Sequence, residues 1–194
     1  MLGGEIVFDV ETQKAFHEVG GRTDFANLGI SLIGAYSYGD MTYSSFNEHE
    51  VEKFEILLSQ AKRVIGFNIK HFDYRVLQPH LKNLNLRNLN TLDLMEEATR
   101  VLGFRPKLID LAKATLGVSK SGHGLEAVRW YKEGNLEKLR QYCLDDVKIT
   151  KDLFEFGVSN GHIKLESRIG SNARIIPVSW KRMSEKEVRE PTLF

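Results

Sequence analysis

The sequence of 194 residues has little of what marks several large protein classes. It contains one cysteine, Cys143, so no disulfide can form within the chain and no cysteine cluster can hold a metal ion. No apolar run approaches the roughly 20 residues of a membrane-spanning helix, and the N-terminus lacks the basic and apolar regions of a signal peptide. We therefore predict a cytoplasmic protein with no membrane partner.

A strong charge of either sign is also missing. The sequence has 27 Lys and Arg against 26 Asp and Glu, a net charge of +1, which argues against a purely electrostatic nucleic-acid scaffold and leaves room for a local basic groove. There are no internal repeats and no low-complexity linkers, and the hydrophobic content of 42% is ordinary for a globular domain. We predict one domain over residues 1–180 and a charged tail over residues 181–194.

Hydrophobic periodicity predicts an α/β fold. Alternation and short apolar runs predict strands at residues 5–12, 28–38, 41–46, 63–68 and 89–92. Helical spacing predicts helices at residues 47–61, 74–81, 94–102, 107–116, 125–132 and 136–156. Residues 163–180 are predicted to form a small hairpin. Three antiparallel strands followed by alternating helices and parallel strands are typical of a mixed sheet flanked by helices.

The first strand carries two acids. Because successive residues of a strand face opposite sides, Asp9 and Glu11 share one face of a mostly apolar segment. Burying unpaired carboxylates there costs several kcal/mol each. Either the two acids lie at a solvated strand end, or a cation compensates their charge.

A third acid, Asp73, follows the strand predicted at residues 63–68. Open α/β sheets place ligand sites beyond the carboxyl ends of their strands, and Asn68 and His71 add polar groups at the same edge. The alternative is that Asp73 only caps the next helix.

The longest predicted helix carries a fourth acid. Tyr142 and Asp146 are four residues apart and share one helix face, whereas Asp145 lies about 100° round the helix and is predicted to be solvated. Two Mg²⁺ or Mn²⁺ ions roughly 3.5–4 Å apart could share the acids and assist a phosphodiester displacement. The tyrosine hydroxyl could orient the attacking water. The predicted metal ligands are Asp9, Glu11, Asp73 and Asp146.

The segments at residues 8–12, 68–73 and 142–146 resemble, in order, the three motifs of the DEDD, or DnaQ-like, 3′-5′ exonucleases. A tyrosine four residues before the last Asp resembles the DEDDy branch, which includes the proofreading domains of family-B polymerases and stand-alone bacterial relatives. The other branch has His five residues before that Asp, where this chain has Gln141. The resemblance implies an RNase H-like fold and a two-metal-ion 3′-5′ exonuclease acting on single-stranded nucleic acid, with DNA favoured. It makes the four acids metal ligands and Tyr142 the residue that positions the nucleophilic water.

Substrate-binding residues are expected around this site, at Thr12, Asn68, Phe72 and Lys120. Basic residues between the second and third motifs could hold phosphates or could simply be solvated helix faces; they are Lys107, Lys113, Lys120, Arg129 and Lys132. Three alternatives stay open: a catalytically weak nucleic-acid-binding or adaptor module, an RNase H-like endonuclease, and an RNA exonuclease.

The last five residues form a separate candidate motif. Residues 190–194 resemble the short bacterial sliding-clamp-binding motif, which ends in Leu-Phe and usually begins with Gln, here replaced by Glu190. Leu193 and Phe194 would be paired apolar anchors on the clamp. The alternative is that both side chains fold back onto the body of the protein.

Overall fold

A five-stranded mixed sheet lies at the centre of the computed structural model, which describes residues 4–118, 124–166, 173–184 and 187. In chain order its strands are β1 (Glu5–Thr12), β2 (Ile30–Ser37), β3 (Thr42–Phe46), β4 (Arg63–Gly66) and β5 (Thr91–Asp93). The spatial order is β3-β2-β1-β4-β5. β1 and β3 pair antiparallel with β2, whereas β4 pairs parallel with both β1 and β5. The predicted mixed sheet, three antiparallel strands followed by parallel ones, is confirmed.

Helices flank this sheet. They are α1 (Val51–Ser59), α2 (Asp73–Leu77), α3 (Leu94–Leu102), α4 (Leu108–Leu116), α5 (Gly124–Lys132) and α6 (Leu136–Asn160). The predicted hairpin is present as β6 (His162–Leu165) paired with β7 (Arg174–Pro177). Among the described residues, no helix is both long and apolar enough to cross a membrane.

Two apolar cores lie on opposite faces of the sheet. The alternation in β1 sends Phe8 into one core and Val7 into the other. The first core includes the buried residues Ile6, Val10, Phe54, Leu58 and Val76. The second includes Ile65, Leu94, Leu111, Val147 and Phe154. Asp9 and Glu11 therefore lie on the α6 side of the sheet, as the strand period predicts.

The close approach of α6 to the sheet depends on Gly34 in β2. A Cβ atom at Gly34 would lie 2.9 Å from Cys143 Sγ and 3.1 Å from Val147 Cγ2, closer than packed atoms normally come. Because Gly34 pairs with Asp9 across the ladder, the helix passes directly over the acid-bearing part of β1.

Several predicted boundaries differ from the structure, and two of them bear on packing around the site. The last helix does not end at residue 156 but continues to Asn160 and ends at the left-handed Gly161 (φ 68°). Gly157 is buried, and a side chain there would collide with the Trp180 ring. β4 ends at Gly66 rather than Asn68, because Asn68 leaves the extended region with φ 68°.

The first residues of the predicted tail contact the body of the protein. Arg182 pairs with the buried Glu5, which also pairs with Arg63, and the Arg182 guanidinium lies 3.6 Å from the centre of the Tyr38 ring. The predicted clamp-binding residues 190–194 lie outside the described residues, and the clamp contact stays a prediction.

Candidate active site

A cleft of about 520 Å³ beside the carboxyl-terminal half of β1 brings the predicted site together. All the predicted site residues except Lys120 line it: Asp9, Glu11, Thr12, Asn68, Phe72, Asp73, Tyr142 and Asp146. Lys120 lies outside the described residues. Three segments that are far apart in sequence, β1, the β4–α2 connection and α6, therefore meet at one surface.

Asp9 and Glu11 form the floor of this cleft. Ligand atoms of Asp9, Glu11 and Cys143 all lie within 4.8 Å of one another, and the Cys143 thiol approaches the Asp9 backbone carbonyl at 3.7 Å. The sequence analysis assigned Cys143 no part in the site. Thr12 is held locally, since its hydroxyl donates to the Lys14 carbonyl at 2.9 Å.

Asp73 is tied to β1 by a hydrogen bond rather than acting as a helix cap. Phe72 is the N-cap residue of α2, and the Asp73 carboxylate accepts the Val10 backbone N–H at 2.8 Å. The capping alternative is therefore wrong. Burial, followed by the nearby Asp9 charge, raises the pKa of Asp73 well above its ordinary value. An acid in this position calls for a compensating cation.

The inward face of α6 supplies the remaining groups. Tyr142 and Asp146 are both buried, whereas Asp145 is half-buried and accepts a hydrogen bond from the exposed Gln141 at 2.8 Å. The Tyr142 ring packs edge-on against Trp130 with 5.6 Å between centroids. Burial, and then the charges of Asp146, Glu11 and Asp9, raise the pKa of the Tyr142 hydroxyl. The hydroxyl therefore keeps its proton and can donate a hydrogen bond.

The buried Asp93, at the end of β5, holds the Asn68 segment in place. The Asp93 carboxylate accepts the backbone N–H of Asn68 at 2.8 Å and of Lys70 at 3.1 Å, while it also caps α3. The Asn68 side-chain oxygen accepts a hydrogen bond from Arg105, which comes from the α3–α4 connection. His71 is exposed. Only the fold reveals the Arg105 and Asp93 contacts, because both span more than 20 residues.

Apolar side chains form the walls of the cleft. On one side the rings of Phe16 and Phe72 meet edge to face at 6.1 Å, and both contact Phe25 behind them. The other apolar lining residues are Val10, Ala15, Leu28, Phe67, Met95, Leu108, Leu125 and Val128. Half-buried aromatic rings beside carboxylates suit the stacking of a nucleobase.

The basic residues noted between the second and third motifs are mostly paired with acids. Lys113 pairs with Glu166, and Lys132 pairs with Glu18. Arg129 lies 3.7 Å from carboxylate oxygens of both Glu126 and Glu133. The solvated-face interpretation holds for these three side chains, and Lys14 is the only cation among the described residues that line the cleft.

The donor set fits a hard divalent cation. Carboxylate oxygens are the ligands that Mg²⁺ and Mn²⁺ prefer, and the cleft offers four such side chains. Burial, and then the neighbouring acids, raise the pKa of the Cys143 thiol. The neutral thiol is a poor ligand, so the carboxylates are the groups that would hold metal.

Comparison with known proteins places the chain in a family. The RNase_H_2 family model, of the RNase_H superfamily, matches residues 6–156. No curated protein sequence matches the chain. Among solved structures, the family B DNA polymerase from the hyperthermophilic archaeon Pyrobaculum calidifontis has a similar fold, with TM-score 0.62 and 17% identity. The match covers 79% of this chain and 24% of the polymerase, so this chain spans about a quarter of that protein's length. The family match covers most of the chain, and the protein belongs to the RNase H superfamily.

Proposed function

We propose that the protein is a metal-dependent nuclease of the DEDDy type, which removes nucleotides from the 3′ end of single-stranded nucleic acid, preferably DNA. The observation that supports this proposal is the convergence of four carboxylates and one tyrosine on a single cleft. These groups come from three segments in the order that the exonuclease motifs require. Membership of the RNase H superfamily supports a nuclease.

Divalent metal would be held by the carboxylates of Asp9, Glu11, Asp73 and Asp146. When bound, two ions would stabilise the negative charge on the attacking and leaving oxygens of the scissile phosphodiester. The protein fixes the acids in advance: β1 carries the first two, and the Val10 N–H orients Asp73. This rigidity favours a preorganised site, because little rearrangement is needed when substrate binds.

Tyr142 would hold and orient the attacking water. Its hydroxyl keeps its proton because burial and nearby acids raise its pKa, and it lies one helical turn from Asp146. The rings of Phe16 and Phe72 would stack on the terminal base, with the Asn68 amide, fixed by Arg105, at the cleft edge. A positioned group of this kind typically contributes about 10²–10⁴-fold to the rate.

The proposal is tested with single-stranded DNA and RNA labelled at the 5′ or the 3′ end, incubated with Mg²⁺, Mn²⁺ or a chelator. We expect progressive shortening from the 3′ end that needs metal. Asp146→Asn should abolish it, and Tyr142→Phe should slow it by about 10²–10⁴-fold while metal binding, measured by calorimetry, is retained. Asp145→Asn, on the same helix but outside the lining of the cleft, is the matched control and should cut like the parent protein.

Each alternative predicts a different product. Internal fragments would indicate an endonuclease, and shortening of RNA alone would indicate an RNA exonuclease. Binding without cleavage in either metal would indicate an adaptor module. Undiminished turnover by Asp146→Asn would remove the metal assignment.

A further inference from the structure

A second hollow of about 490 Å³ lies beside the catalytic cleft and has a basic lining. The described residues that line it are Lys70, Tyr74, Arg75, Gln78, Leu86, Arg87, Leu89 and Thr91. Three of these carry positive charge and none carries negative charge, in a protein whose net charge is only +1. The hollow is therefore a local concentration of cations that the composition does not reveal.

Two of the three cations are available to a ligand. Arg75 and Arg87 are exposed and form no ion pair with any carboxylate of the described residues. Lys70 is different, since its ammonium lies 2.6 Å from the Glu96 carboxylate. Arg75 and Arg87 thus differ from Lys113 and Arg129 on α4 and α5, whose charges are paired with acids.

The base of the hollow is a fixed polar surface. The Tyr74 hydroxyl and Thr91 Oγ1 share a hydrogen bond of 2.6 Å. The Gln78 amide is held at both ends, donating to the Leu84 carbonyl and accepting the Leu86 N–H, each at 2.9 Å. These bonds therefore hold the polar base of the hollow in a fixed shape.

A stack of side chains connects this hollow to the catalytic cleft. Phe72 and Asp73 line the cleft, and the next two residues, Tyr74 and Arg75, line the hollow. The Arg75 guanidinium lies 3.7 Å from the centre of the Phe25 ring, which in turn meets Phe72 with 5.9 Å between centroids. The two depressions thus share one wall, made of α2 and an aromatic cluster.

We propose that the hollow binds backbone phosphates of the strand on the 5′ side of the terminal nucleotide. This inference rests on the proposed function. The described lining of the catalytic cleft has a single lysine, and two divalent ions would only neutralise its four carboxylates, so the cleft itself offers little positive charge to the rest of the strand. A strand leaving past Phe72 reaches Arg75 and Arg87 across the shared wall. Cationic grooves next to stacking aromatic side chains are how proteins hold single strands without reading sequence.

The test uses Arg87→Gln and the double variant Arg75→Gln/Arg87→Gln. Binding of a fluorescent single-stranded 12-mer is titrated at several salt concentrations with Ca²⁺ in place of Mg²⁺. For single strands, each lost phosphate contact should reduce the slope of log K against log salt by about 0.7, and affinity should fall alike for every sequence. Arg174→Gln, which removes the same charge from β7, is the control and should bind like the parent protein.

A second measurement separates this inference from the proposed function. Hydrolysis of thymidine 5′-p-nitrophenyl phosphate uses one phosphodiester and does not extend to the hollow, so the parent and both variants should cleave it equally. If the variants bind the 12-mer with the parent's affinity and salt slope, the hollow does not hold the strand, although the nuclease proposal stands. An equal loss in Arg174→Gln would also overturn the inference, because total charge would then explain it. Failure of the parent protein to cleave either substrate would instead contradict the proposed function.

Discussion

Asp93 joins the catalytic cleft to the edge of the sheet, and its replacement gives a graded test of that link. Its carboxylate accepts four backbone N–H groups, at 2.8 Å from Asn68, 3.1 Å from Lys70, 3.1 Å from Met95 and 3.3 Å from Glu96. The first two bonds hold the connection that leads to Asp73, and the last two cap α3. Asp93→Ser keeps a capping hydroxyl but cannot reach the connection, whereas Asp93→Ala loses both functions.

The size of each effect follows from these contacts. A hydrogen bond to a charged group contributes about 1.5–3 kcal/mol. The Asn68 and Lys70 N–H groups are partly open to water, and hydrogen bonds to water would offset part of the stabilisation that is lost. We expect Asp93→Ser to lower the free energy of unfolding by about 2–4 kcal/mol. Asp93→Ala should lose about 1 kcal/mol more, the usual contribution of an N-cap. Against a typical stability of about 5–15 kcal/mol, both proteins should still fold.

Urea denaturation measures the stability, and shortening of a labelled single strand measures the activity of the folded protein. Asp93→Ser should lower kcat/KM because Asn68 and α2 are no longer held against β5. A serine variant that unfolds at the parent's urea midpoint and cuts at the parent's rate would refute the reasoning, since the two long-range bonds would then contribute nothing. An alanine variant no less stable than the serine variant would show that the cap is dispensable.

Two further predictions concern packing and charge. Gly34→Ala should lower the free energy of unfolding by about 1–3 kcal/mol, because the new methyl group meets Cys143 Sγ, and should reduce activity by displacing α6. Adding Cys143→Ala to Gly34→Ala should restore part of the stability and part of the activity. If urea denaturation shows that the two stability losses simply add, the predicted contact between the new methyl group and Cys143 is contradicted. Burial raises the pKa of Glu55, but the N–H groups of residues 83, 82 and 84 outweigh it and the pKa is lowered overall. The stabilisation is therefore present above the ordinary glutamate pKa and is lost as pH falls through the lowered value. The stability difference between the parent protein and Glu55→Gln should shrink in that acidic range, and a difference independent of pH would contradict this assignment.

Local periodicity was enough to predict the groups whose placement depends on one element. The strand period put Asp9 and Glu11 on one face of β1, and the helix period put Tyr142 and Asp146 together while leaving Asp145 outside. The order of strands and helices followed from the same patterns. These predictions needed no knowledge of which elements touch.

The predictions that failed or fell short involve contacts between distant segments. The sequence left open whether Asp73 only caps a helix, and its bond to Val10, 63 residues earlier, decides against the cap. The sequence likewise left open whether the cations around α4 and α5 hold phosphates, and the fold pairs three of them with acids, such as Lys132 with Glu18. The local sequence around Arg75 and Arg87 does not indicate that the two side chains line the same hollow.

Gly34 shows why a motif alone does not define this site. Asp146 and Tyr142 lie near the acids of β1 only if α6 packs close to the sheet. The side chains between α6 and the sheet set the distance between them. Gly34 has no side chain, so Cys143 and Val147 occupy the space that a methyl group would take. A larger residue would leave every acid in the sequence unchanged and still move Asp146, together with Tyr142, away from the other three acids. If the protein is the nuclease proposed above, a positioning error near 1 Å can cost about 10²-fold in rate, so we expect this glycine of the neighbouring strand to matter for activity as the proposed metal ligands do.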